Sequence, residues 1–477
     1  MYNVYVTRIK NLRPHPNADR LQLGECFGNT VCVSLEYEDN QLGIYFPSDG
    51  QISAEFAEKN NLLRKKDEAG NNIGGYMDPN KRNVTAIRLR GEKSDGLFLP
   101  LSSLQDFGDV SKLKDGEIVT VFNGHEIACK YFPVRNTKST SAGGNRVRKK
   151  KVNIAPLFLE HADTEQLAYN LNAFKENDLV EITLKMHGTS QRTGYLPVLK
   201  GYKANNVFWQ RVINHLYGKQ LKPNSCAEKL LNRALNCSSP IYDYGYVSGT
   251  RRTVLENYEG GYYGSNAFRE KHSKYFEGKL MKGETVYYEV VGFTDSGAPI
   301  MGNGKNNKLG KEFVKKYGKE TVFSYGCDPD GDETQPYTDY ENNIWATSSI
   351  YVYRMTMTNP DGFVVEYSPD FMRYRCEQMG VKTVPVFWQG YLKEPDEWCG
   401  KNWEVGEYVK SMAENYYEGT DPIGKTHIRE GVVARIINRP KFTAYKHKNY
   451  DFKVLENIIK ENAETLDLEE AEEFIES

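Results

Sequence analysis

Five short segments, in a fixed order along the chain, contain charged side chains of the types that could carry out chemistry. The segments are 185-KMHG-188, 251-RRT-253, 287-YYEVVG-292, 430-EGVVAR-435 and 446-KHK-448. They supply a lysine amine, arginine guanidinium groups, two carboxylates and a pair of lysines. These groups suffice to transfer a nucleotide from a triphosphate onto a protein amine, because the amine attacks phosphorus while cations hold the phosphate oxygens.

Lys185 is the candidate nucleophile. An amine attacks phosphorus only in its neutral form, and an unperturbed lysine has a pKa of about 10.4. A position where a strand meets a turn, beside Lys446 and Lys448, disfavours the charged form through like-charge proximity. The same two lysines would neutralise the phosphates of a bound nucleotide. Gly188 would let the backbone turn tightly next to that nucleotide.

The remaining candidates offer groups that bind the other parts of a nucleotide. Glu289 and Glu430 each lie in a strand-like run and supply the oxygen ligands that a sugar hydroxyl or a hydrated Mg²⁺ requires. Tyr353 offers an aromatic face for a purine, and Arg251 or Arg252 offers a fork for phosphate. Each residue alone is more simply explained as a surface or core residue. Their joint order favours a nucleotide site.

Short β-branched and aromatic runs predict the strands that must position these groups. The strand of the first run ends at the turn that carries Lys185, and the other runs carry or adjoin the carboxylates and the tyrosine. The runs cover 180–188, 284–293, 348–357, 362–367 and 430–437. Residues 207–217 have apolar side chains at helical spacing, which predicts a packed helix that needs no cofactor role. Strands and helices therefore mix from about residue 152 onward.

The first 130 residues have a different pattern. Short strand-like runs are separated by Gly, Asp, Asn and Pro, which is typical of a small all-β barrel. A short helix and a polar loop are expected to interrupt the barrel at 53–80. Residues 131–153 are poor in apolar side chains and predict a linker. Residues 451–477 predict an acidic amphipathic helix or helix pair with Leu455 on its buried face.

The linker ends in the densest basic cluster of the chain. The cluster consists of Arg146, Arg148, Lys149, Lys150 and Lys151. It fits either a solvated linker with incidental charge or a strap that contacts the phosphates of a nucleic acid. The sequence leaves both interpretations open.

Composition sets the limits of these expectations. A chain of 477 residues predicts two or three domains, and a net charge of −2 means that any basic surface must be local. The eight cysteines form no C-x-x-C pair, which argues against a zinc or redox motif and favours a reduced intracellular protein. No signal peptide or membrane-spanning run is present, so the sequence predicts a soluble, cytoplasmic protein.

The five segments resemble the motifs of the covalent nucleotidyltransferase superfamily, and most closely those of ATP-dependent RNA ligases. RNA ligases of the family-2 type carry a Lys-x-His-Gly-Thr turn, which residues 185–189 match. Glu289 is similar to the ribose-side carboxylate, Tyr353 to the adenine-stacking aromatic residue, and Arg252 is the better match of the arginine pair. The resemblance implies an ATP-binding set of His187, Gly188, Arg251, Arg252, Glu289, Tyr353, Glu430, Lys446 and Lys448.

The front of the chain adds an independent resemblance. The segments 14-PHPNADRLQLGE-25, 44-IYFPSDGQIS-53 and 87-IRLRGEKSDGLFLPL-101 resemble the OB-like module of the family-5 RNA ligases of bacteria and phages. The PHPNADRL string also occurs in tRNA-binding OB modules. The implied fold is α+β. An N-terminal OB-like β-barrel (1–130) and a basic linker (131–153) precede an ATP-grasp-like nucleotidyltransferase domain of antiparallel sheets flanked by helices (154–450), followed by the acidic helical segment (451–477).

The implied activity is ATP-dependent joining of RNA 3′-hydroxyl and 5′-phosphate ends, with a role in RNA repair. Lys185 would form a lysyl-AMP, with Mg²⁺ or Mn²⁺ held by Glu430, directly or through water, and by Glu289. The expected partner is RNA, and the expected state is a monomer. The expected location is the cytoplasm, which would be that of a host cell if a phage encodes the enzyme.

Two alternatives stay open. DNA ligases and capping guanylyltransferases place an OB domain after the last motif, whereas only residues 449–477 follow Lys448. An OB-type RNA- or tRNA-binding protein with an inert ligase-like domain would lack covalent chemistry, and the charged residues in all five segments argue against it.

Overall fold

The computed structural model describes residues 2–66, 72–131, 153–223, 225–255, 257–260, 263, 265–296, 298–301, 303–322, 348–393, 404–423 and 428–461. The basic cluster Arg146, Arg148, Lys149, Lys150 and Lys151 lies outside the described residues, as do residues 462–477 of the acidic tail. Within the described ranges, no helix is long and apolar enough to cross a membrane.

Residues 2–131 form short β-strands, one short α-helix and a 3₁₀ helix over Leu101–Phe107. Helix α1 spans Ala54–Lys59 and begins after Ser53, whose Oγ accepts a hydrogen bond from Phe56 N at 3.2 Å. The strands are β1 Tyr5–Arg8, β2 Lys10–Pro14, β3 Leu21–Cys26, β4 Asn29–Ser34, β5 Leu42–Phe46, β6 Gly50–Ile52, β7 Lys65–Lys66, β8 Asn72–Gly74, β9 Asn83–Val84, β10 Ala86–Leu89, β11 Glu92–Asp95, β12 Leu97–Pro100, β13 Val121–Phe122, β14 His125–Glu126 and β15 Ala128–Lys130.

These strands pair into separate small sheets around two apolar clusters, one that includes Phe46 and Phe56 and another that includes Val31 and Phe98. The three-stranded sheets have the orders β1-β5-β12, β2-β3-β4 and β15-β6-β9, and the rest form two-stranded pairs. The predicted β-rich front is present, but the pairing of the described strands does not close into a barrel. Non-glycine residues with positive φ, such as Asn40 and Asp49, turn the chain after a few residues and keep the strands short.

From residue 153 onward the chain forms longer strands, seven further α-helices and three short 3₁₀ helices within the described ranges. The strands are β16 Glu165–Gln166, β17 Leu179–Leu184, β18 Thr189–Ala204, β19 Ser238–Gly249, β20 Glu284–Val291, β21 Asn303–Lys305, β22 Glu320–Val322, β23 Ser349–Thr358, β24 Val364–Glu366, β25 Lys382–Thr383, β26 Val386–Tyr391, β27 Gly431–Ile436 and β28 Thr443–Lys448. The helices are α2 Val207–Leu216, α3 Cys226–Asn236, α4 Ala267–Tyr275, α5 Lys311–Tyr317, α6 Pro369–Met379, α7 Val405–Glu414 and α8 Tyr450–Glu461.

Two sheets carry the candidate site. The first has the strand order β16-β28-β27-β17-β26, and the second has the order β19-β18-β20-β23-β24 with β25 added beside β23. Neighbours are antiparallel except for the short pairs β16–β28 and β23–β25. The predicted strands around 180–188, 284–293, 348–357 and 430–437 are therefore present. The α+β class with antiparallel sheets is confirmed.

Apolar side chains join the two sheets beside the predicted nucleophile. Leu184 and Met186, on either side of Lys185, pack with Val291 and Tyr351 of the second sheet. Burying these side chains removes apolar surface from water, which fixes the end of β17 against β20 and β23. Any group at the end of β17 therefore faces groups that project from the second sheet.

Candidate active site

The pairing of two neighbouring strands brings Lys185 and Glu430 together. Strand β17 ends at Leu184 and β27 begins at Gly431, and the antiparallel register pairs Leu184 with Val432. The end of one strand thus lies beside the start of the other, and Lys185 N donates a hydrogen bond to Gly431 O at 3.0 Å. The Lys185 Nζ atom lies 2.7 Å from Glu430 Oε1.

Glu430 contacts three candidate residues at once. Besides Lys185, Lys448 Nζ lies 3.2 Å from its Oε1 atom and His187 Nδ1 lies 3.1 Å from its Oε2 atom. Burial raises the pKa of the Glu430 carboxyl, but the charges of Lys185 and Lys448 and the contact with His187 outweigh burial and hold the pKa well below its usual range. Glu430 is therefore a carboxylate that orders cations rather than a proton donor.

A second carboxylate holds Lys448 from the opposite end. Glu456 of helix α8 lies 2.9 Å (Oε1) and 2.8 Å (Oε2) from Lys448 Nζ. Positive and negative side chains thus alternate in a row of direct contacts. We call this row, which consists of Lys185, Glu430, Lys448 and Glu456, the ion chain. Sequence reasoning missed Glu456 because residues from 451 onward were assigned to a separate acidic segment. Its position on the helix that directly follows β28 was the available signal.

Lys446 lies on the same strand as Lys448 and two residues before it, so both side chains project from the same face of β28. Burial lowers the pKa of Lys446 to about 8, and the positive charges of Lys448 and Lys185 add to this effect. Three lysines are thus concentrated at one place, as a polyphosphate site requires. Glu430 acts in the opposite direction on Lys185, because a carboxylate at 2.7 Å stabilises an ammonium group.

Two glycines allow the close backbone contacts around these residues. A Cβ atom at Gly188 would lie 2.5 Å from Val290 O and 2.9 Å from Glu289 Cγ, so only glycine lets the turn after Lys185 approach β20. The requirement at Gly188 is this contact between protein segments, whereas the sequence suggested a tight turn beside the nucleotide. Gly431 has φ +147°, and a Cβ atom there would lie 2.1 Å from His447 O.

A pocket opens beside Lys185 between the two sheets. Its lining includes four of the predicted residues, Lys185, Arg251, Glu289 and Tyr353, and it encloses about 800 Å³ of empty space including the open mouth. Lys185 belongs to both the pocket and the ion chain. The Tyr353 hydroxyl lies 2.9 Å from Ser190 Oγ, which fixes the ring in the pocket wall.

The pocket also contains groups that the sequence did not single out. His161 lies in its lining, with its ring 5.1 Å from that of Tyr353, and Arg354 Nη1 lies 3.1 Å from His161 Nδ1. Burial, reinforced by the charge of Arg354, lowers the pKa of His161 well below its usual range, so the imidazole is neutral. Glu181 lies four residues before Lys185 and also lines the pocket. Its Oε2 atom accepts a hydrogen bond from Arg373 Nη1 at 2.6 Å. No short motif marks these residues.

The two predicted arginines have different positions. Arg251 lines the pocket and lies 3.1 Å from Asp163 Oδ1, whereas Arg252 lies 2.9 Å from Asp163 Oδ2 with about half of its side chain exposed. The backbone oxygens of both accept hydrogen bonds from the buried guanidinium of Arg192 at 2.9 and 3.2 Å. The loop is therefore fixed, and Arg251 is the arginine that faces the pocket.

The carboxylates fit a metal that arrives with a nucleotide. Among the described residues, no group of three or more His, Cys, Asp or Glu side chains is arranged to hold a metal ion. Mg²⁺ is commonly bound through one or two carboxylates, with water and substrate phosphates completing its coordination. Glu289 lies beside Gly188 and Glu430 contacts the neighbouring His187, so the two carboxylates suit that arrangement better than an all-protein site.

Comparison with known proteins supports this fold. No family model matches the sequence, and no curated protein is similar to it in sequence. Among solved structures, the chain is similar to a lysine-to-alanine variant of Naegleria gruberi RNA ligase with ATP and Mn, with a TM-score of 0.51 and 14% identity over 96% of this chain and 99% of that one. The Naegleria gruberi RNA ligase with PPi gives a TM-score of 0.50 and 16% identity over 94% and 96% of the two chains.

At this identity the similarity establishes the fold, which is that of these RNA ligase structures over nearly the whole chain. The front region is included in the match, since the aligned part covers more than nine tenths of both chains.

Proposed function

We propose that this protein is an ATP-dependent RNA ligase that joins RNA 3′-hydroxyl and 5′-phosphate ends through a lysyl-AMP and an RNA-adenylate. One observation carries the proposal: Lys185 stands where a cation-rich ion chain meets a pocket lined by Tyr353, Glu289 and Arg251. A nucleoside triphosphate needs both halves, since its base and sugar enter a pocket while its phosphates require cations.

In the first step, the Lys185 Nζ lone pair attacks the α-phosphorus of ATP. The N–P bond forms as the bond to the β-phosphate oxygen breaks, and pyrophosphate leaves. An ammonium group has no lone pair, so the contact between Lys185 and Glu430 must open and the Lys185 proton must pass to solvent before attack. Lys446 and Lys448 oppose the ammonium form by like-charge repulsion and also stabilise the negative charge on the phosphates.

The other residues bind and orient the nucleotide. Tyr353 stacks on the adenine, Glu289 binds the ribose hydroxyls, and Arg251 binds phosphate with a planar fork that suits its oxygens. Bound Mg²⁺, or Mn²⁺ in its place, would supply Lewis-acid stabilisation of the phosphate charge, held by Glu430 through water and by Glu289. Arg251 and Arg252 both pair with Asp163, so each must release that carboxylate to bind phosphate.

The later steps require RNA. AMP passes from Lys185 to an RNA 5′-phosphate, and a 3′-hydroxyl then attacks that phosphate and releases AMP. We assign residues 1–130 to an OB-like RNA-binding module, 154–450 to the nucleotidyltransferase domain, and the linker cluster of Arg146, Arg148, Lys149, Lys150 and Lys151 to phosphate contacts. A monomeric enzyme of RNA repair in the cytoplasm fits these assignments.

Covalent labelling tests the proposal. Incubation of the full chain with α-labelled ATP and a divalent cation should give an acid-labile, alkali-stable label on the protein, and addition of RNA with a 5′-phosphate and a 3′-hydroxyl should then give a sealed product. Labelled GTP under the same conditions should give none. Label from GTP alone would favour a capping-type guanylyltransferase, and no label from either nucleotide would favour an RNA-binding protein with an inert ligase-like domain.

A further inference from the structure

A strand ribbon with two helices at its tip extends from the second sheet and is not used by the chemistry above. Strand β18 pairs with β20 only from Thr189 to Gly194, whereas its pairing with β19 continues to Ala204. Helices α2 and α3 connect the two strands and contact chiefly each other and these strands. We call residues 199–240 the arm.

The arm has its own small core, so its surface is separable from the stability of the active site. Tyr202, Ile213 and Ala234 are buried together inside it. Ser225 Oγ and Asn206 Oδ1 cap the two helices by accepting hydrogen bonds from backbone N–H groups three residues on. Substitutions on the outer faces of α2 and α3 should therefore leave the rest of the molecule folded.

Positive charge is concentrated on the arm. Between residues 199 and 237 the chain has seven Lys or Arg residues and one Glu, a net charge of +6, whereas its other 55 basic and 63 acidic residues give −8. All seven cations are exposed, and no salt bridge is formed by any of them within the described residues. A protein with a net charge of −2 thus presents one strongly basic surface here, which complements a polyanion.

Exposed aromatic side chains accompany the cations. Phe208 is 61% exposed on α2 and lies at helical spacing from Arg211 and His215, so the three share one face. Tyr217 at the end of α2 is 40% exposed. Aromatic rings beside cations are the combination that binds unpaired bases and their phosphates.

The arm is also connected to the active site by one continuous strand. Strand β18 starts at Thr189, immediately after Gly188, and its 16 residues span about 50 Å at roughly 3.3 Å per residue. Asn153, the first described residue after the basic linker cluster, accepts a hydrogen bond through its O atom from Tyr242 OH of β19 at 2.8 Å. The base of the arm thus adjoins the segment that follows the cluster, and strand β18 runs from there to the nucleophile turn.

We propose that the arm is an RNA-binding surface that holds the phosphate backbone of the substrate away from the ends being joined. The proposal rests on the proposed function, because it takes RNA as the substrate. Binding of phosphates at the tip would raise the residence time of RNA at Lys185 without touching ATP. The arm would then contribute to the two RNA-dependent steps and not to lysine adenylylation.

The test compares two fourfold variants of the full chain. The arm variant carries Arg211→Gln, Lys222→Gln, Lys229→Gln and Arg233→Gln. The control carries Lys271→Gln, Lys311→Gln, Lys315→Gln and Lys316→Gln, which are cations on α4 and α5. The probes are a single-stranded RNA and a nicked RNA duplex, both with 5′-hydroxyl ends so that binding occurs without reaction. Dissociation constants are measured over a range of salt concentrations.

Removing one cation that binds a phosphate should reduce the slope of log K against log salt by about 0.7 for single strands and about 0.9 for duplex, the latter value being the one measured for B-DNA. We expect the arm variant to bind at least two fewer phosphates, a change of slope of about 1.4 or more, with lysine adenylylation by ATP within twofold of the wild type. The proposal would be overturned if the arm variant had the same salt slopes as the wild type and the control. So would a change of oligomeric state in light scattering without a change of slope, which would assign the arm to a second copy of the chain.

The proposed function is read separately from these measurements. If the wild type forms no covalent label with ATP, the ligase assignment fails whatever the arm does. If label forms and sealing occurs but the salt slopes are unchanged, only the arm proposal fails.

Discussion

The ion chain and the arm use the same kinds of charged residue in opposite ways. In the ion chain, Glu430 is almost fully buried, and the lysines beside it are at most about one fifth exposed. On the arm, seven exposed cations surround a core of three buried side chains. In the ion chain, each charged group is held in place by contacts with its oppositely charged neighbours. On the arm, each cation faces solvent.

This difference has an energetic consequence. Charges that share acceptors in a buried site are coupled, so removing one changes the position and protonation of the others. Exposed charges are screened by salt, so their interaction is largely lost beyond a Debye length of about 10 Å at 0.1 M ionic strength. Substitutions in the ion chain should therefore be large and non-additive, whereas substitutions on the arm should be small and additive.

The largest effect is expected for the residue shared by the ion chain and the pocket. Lys185→Ala removes the attacking amine, so neither covalent AMP nor sealing of 5′-phosphorylated RNA should be detectable. The variant should still seal RNA that already carries a 5′-adenylate, because that substrate bypasses the first step. Gel analysis with labelled ATP measures the first result. Persistent label on the variant would contradict the assignment of Lys185.

The next largest effect is expected for Glu430→Gln. The amide keeps the shape of the side chain but removes the charge that Lys185 and Lys448 share, and loss of one charged group from such a site commonly costs about 10² to 10³ in rate. Single-turnover adenylylation measures it. Glu270→Gln is the matched control, because Glu270 forms an exposed helix pair with Lys274. Equal rates for both variants would show that Glu430 does not order the site.

Lys446 gives a pH dependence with a defined sign. Its pKa of about 8 lies below that of an ordinary lysine, so the side chain loses its charge as pH rises through 8 and can no longer attract phosphate. The affinity of the wild type for an ATP analogue that cannot react should therefore fall above about pH 8, by up to about tenfold per pH unit. Lys446→Arg should abolish this fall, because arginine keeps its charge. A pH-independent affinity in the wild type would contradict the prediction.

The sequence predicted the strands of the site more completely than its electrostatics. The runs at 180–188 and 430–437 are strands because short runs rich in β-branched side chains are buried between layers, a local pattern that can be read directly. The barrel expected at the front is not closed by the pairing of the described strands, because closure depends on pairing between distant short strands that no local pattern specifies. Glu456 and His161 were missed for the same reason, since each meets its partner only through tertiary packing.

Glu456 tests how far the coupling of the ion chain extends. Glu456→Gln removes the carboxylate that holds Lys448 from helix α8, and we expect about a tenfold loss of adenylylation rate, in the range typical of residues that orient a functional group. The midpoint of the pH–rate profile should also move to lower pH, because loss of a carboxylate disfavours the ammonium form of the neighbouring lysines.

Two further variants separate positioning from simple destabilisation. Glu456→Asp keeps the charge, so it should leave the midpoint unchanged and recover part of the rate. In a Lys448→Ala background, Glu456→Gln should have no further effect, since Glu456 acts through Lys448. A uniform loss of rate at every pH, with full additivity to Lys448→Ala, would mean that Glu456 only stabilises the fold.

The smallest effects are expected for single substitutions on the arm. Lys229→Gln and Arg211→Gln lie on different helices, and each should lower the salt slope of RNA binding by the value for one bound phosphate, about 0.7 for a single strand. The double variant should show the sum of the two, because exposed charges on separate helices do not share an acceptor. Titrations of the same RNA at several salt concentrations measure all three slopes. A double variant whose slope changes no more than that of either single variant would mean that the two cations hold the same phosphate, and the arm would then resemble the ion chain in being a coupled site.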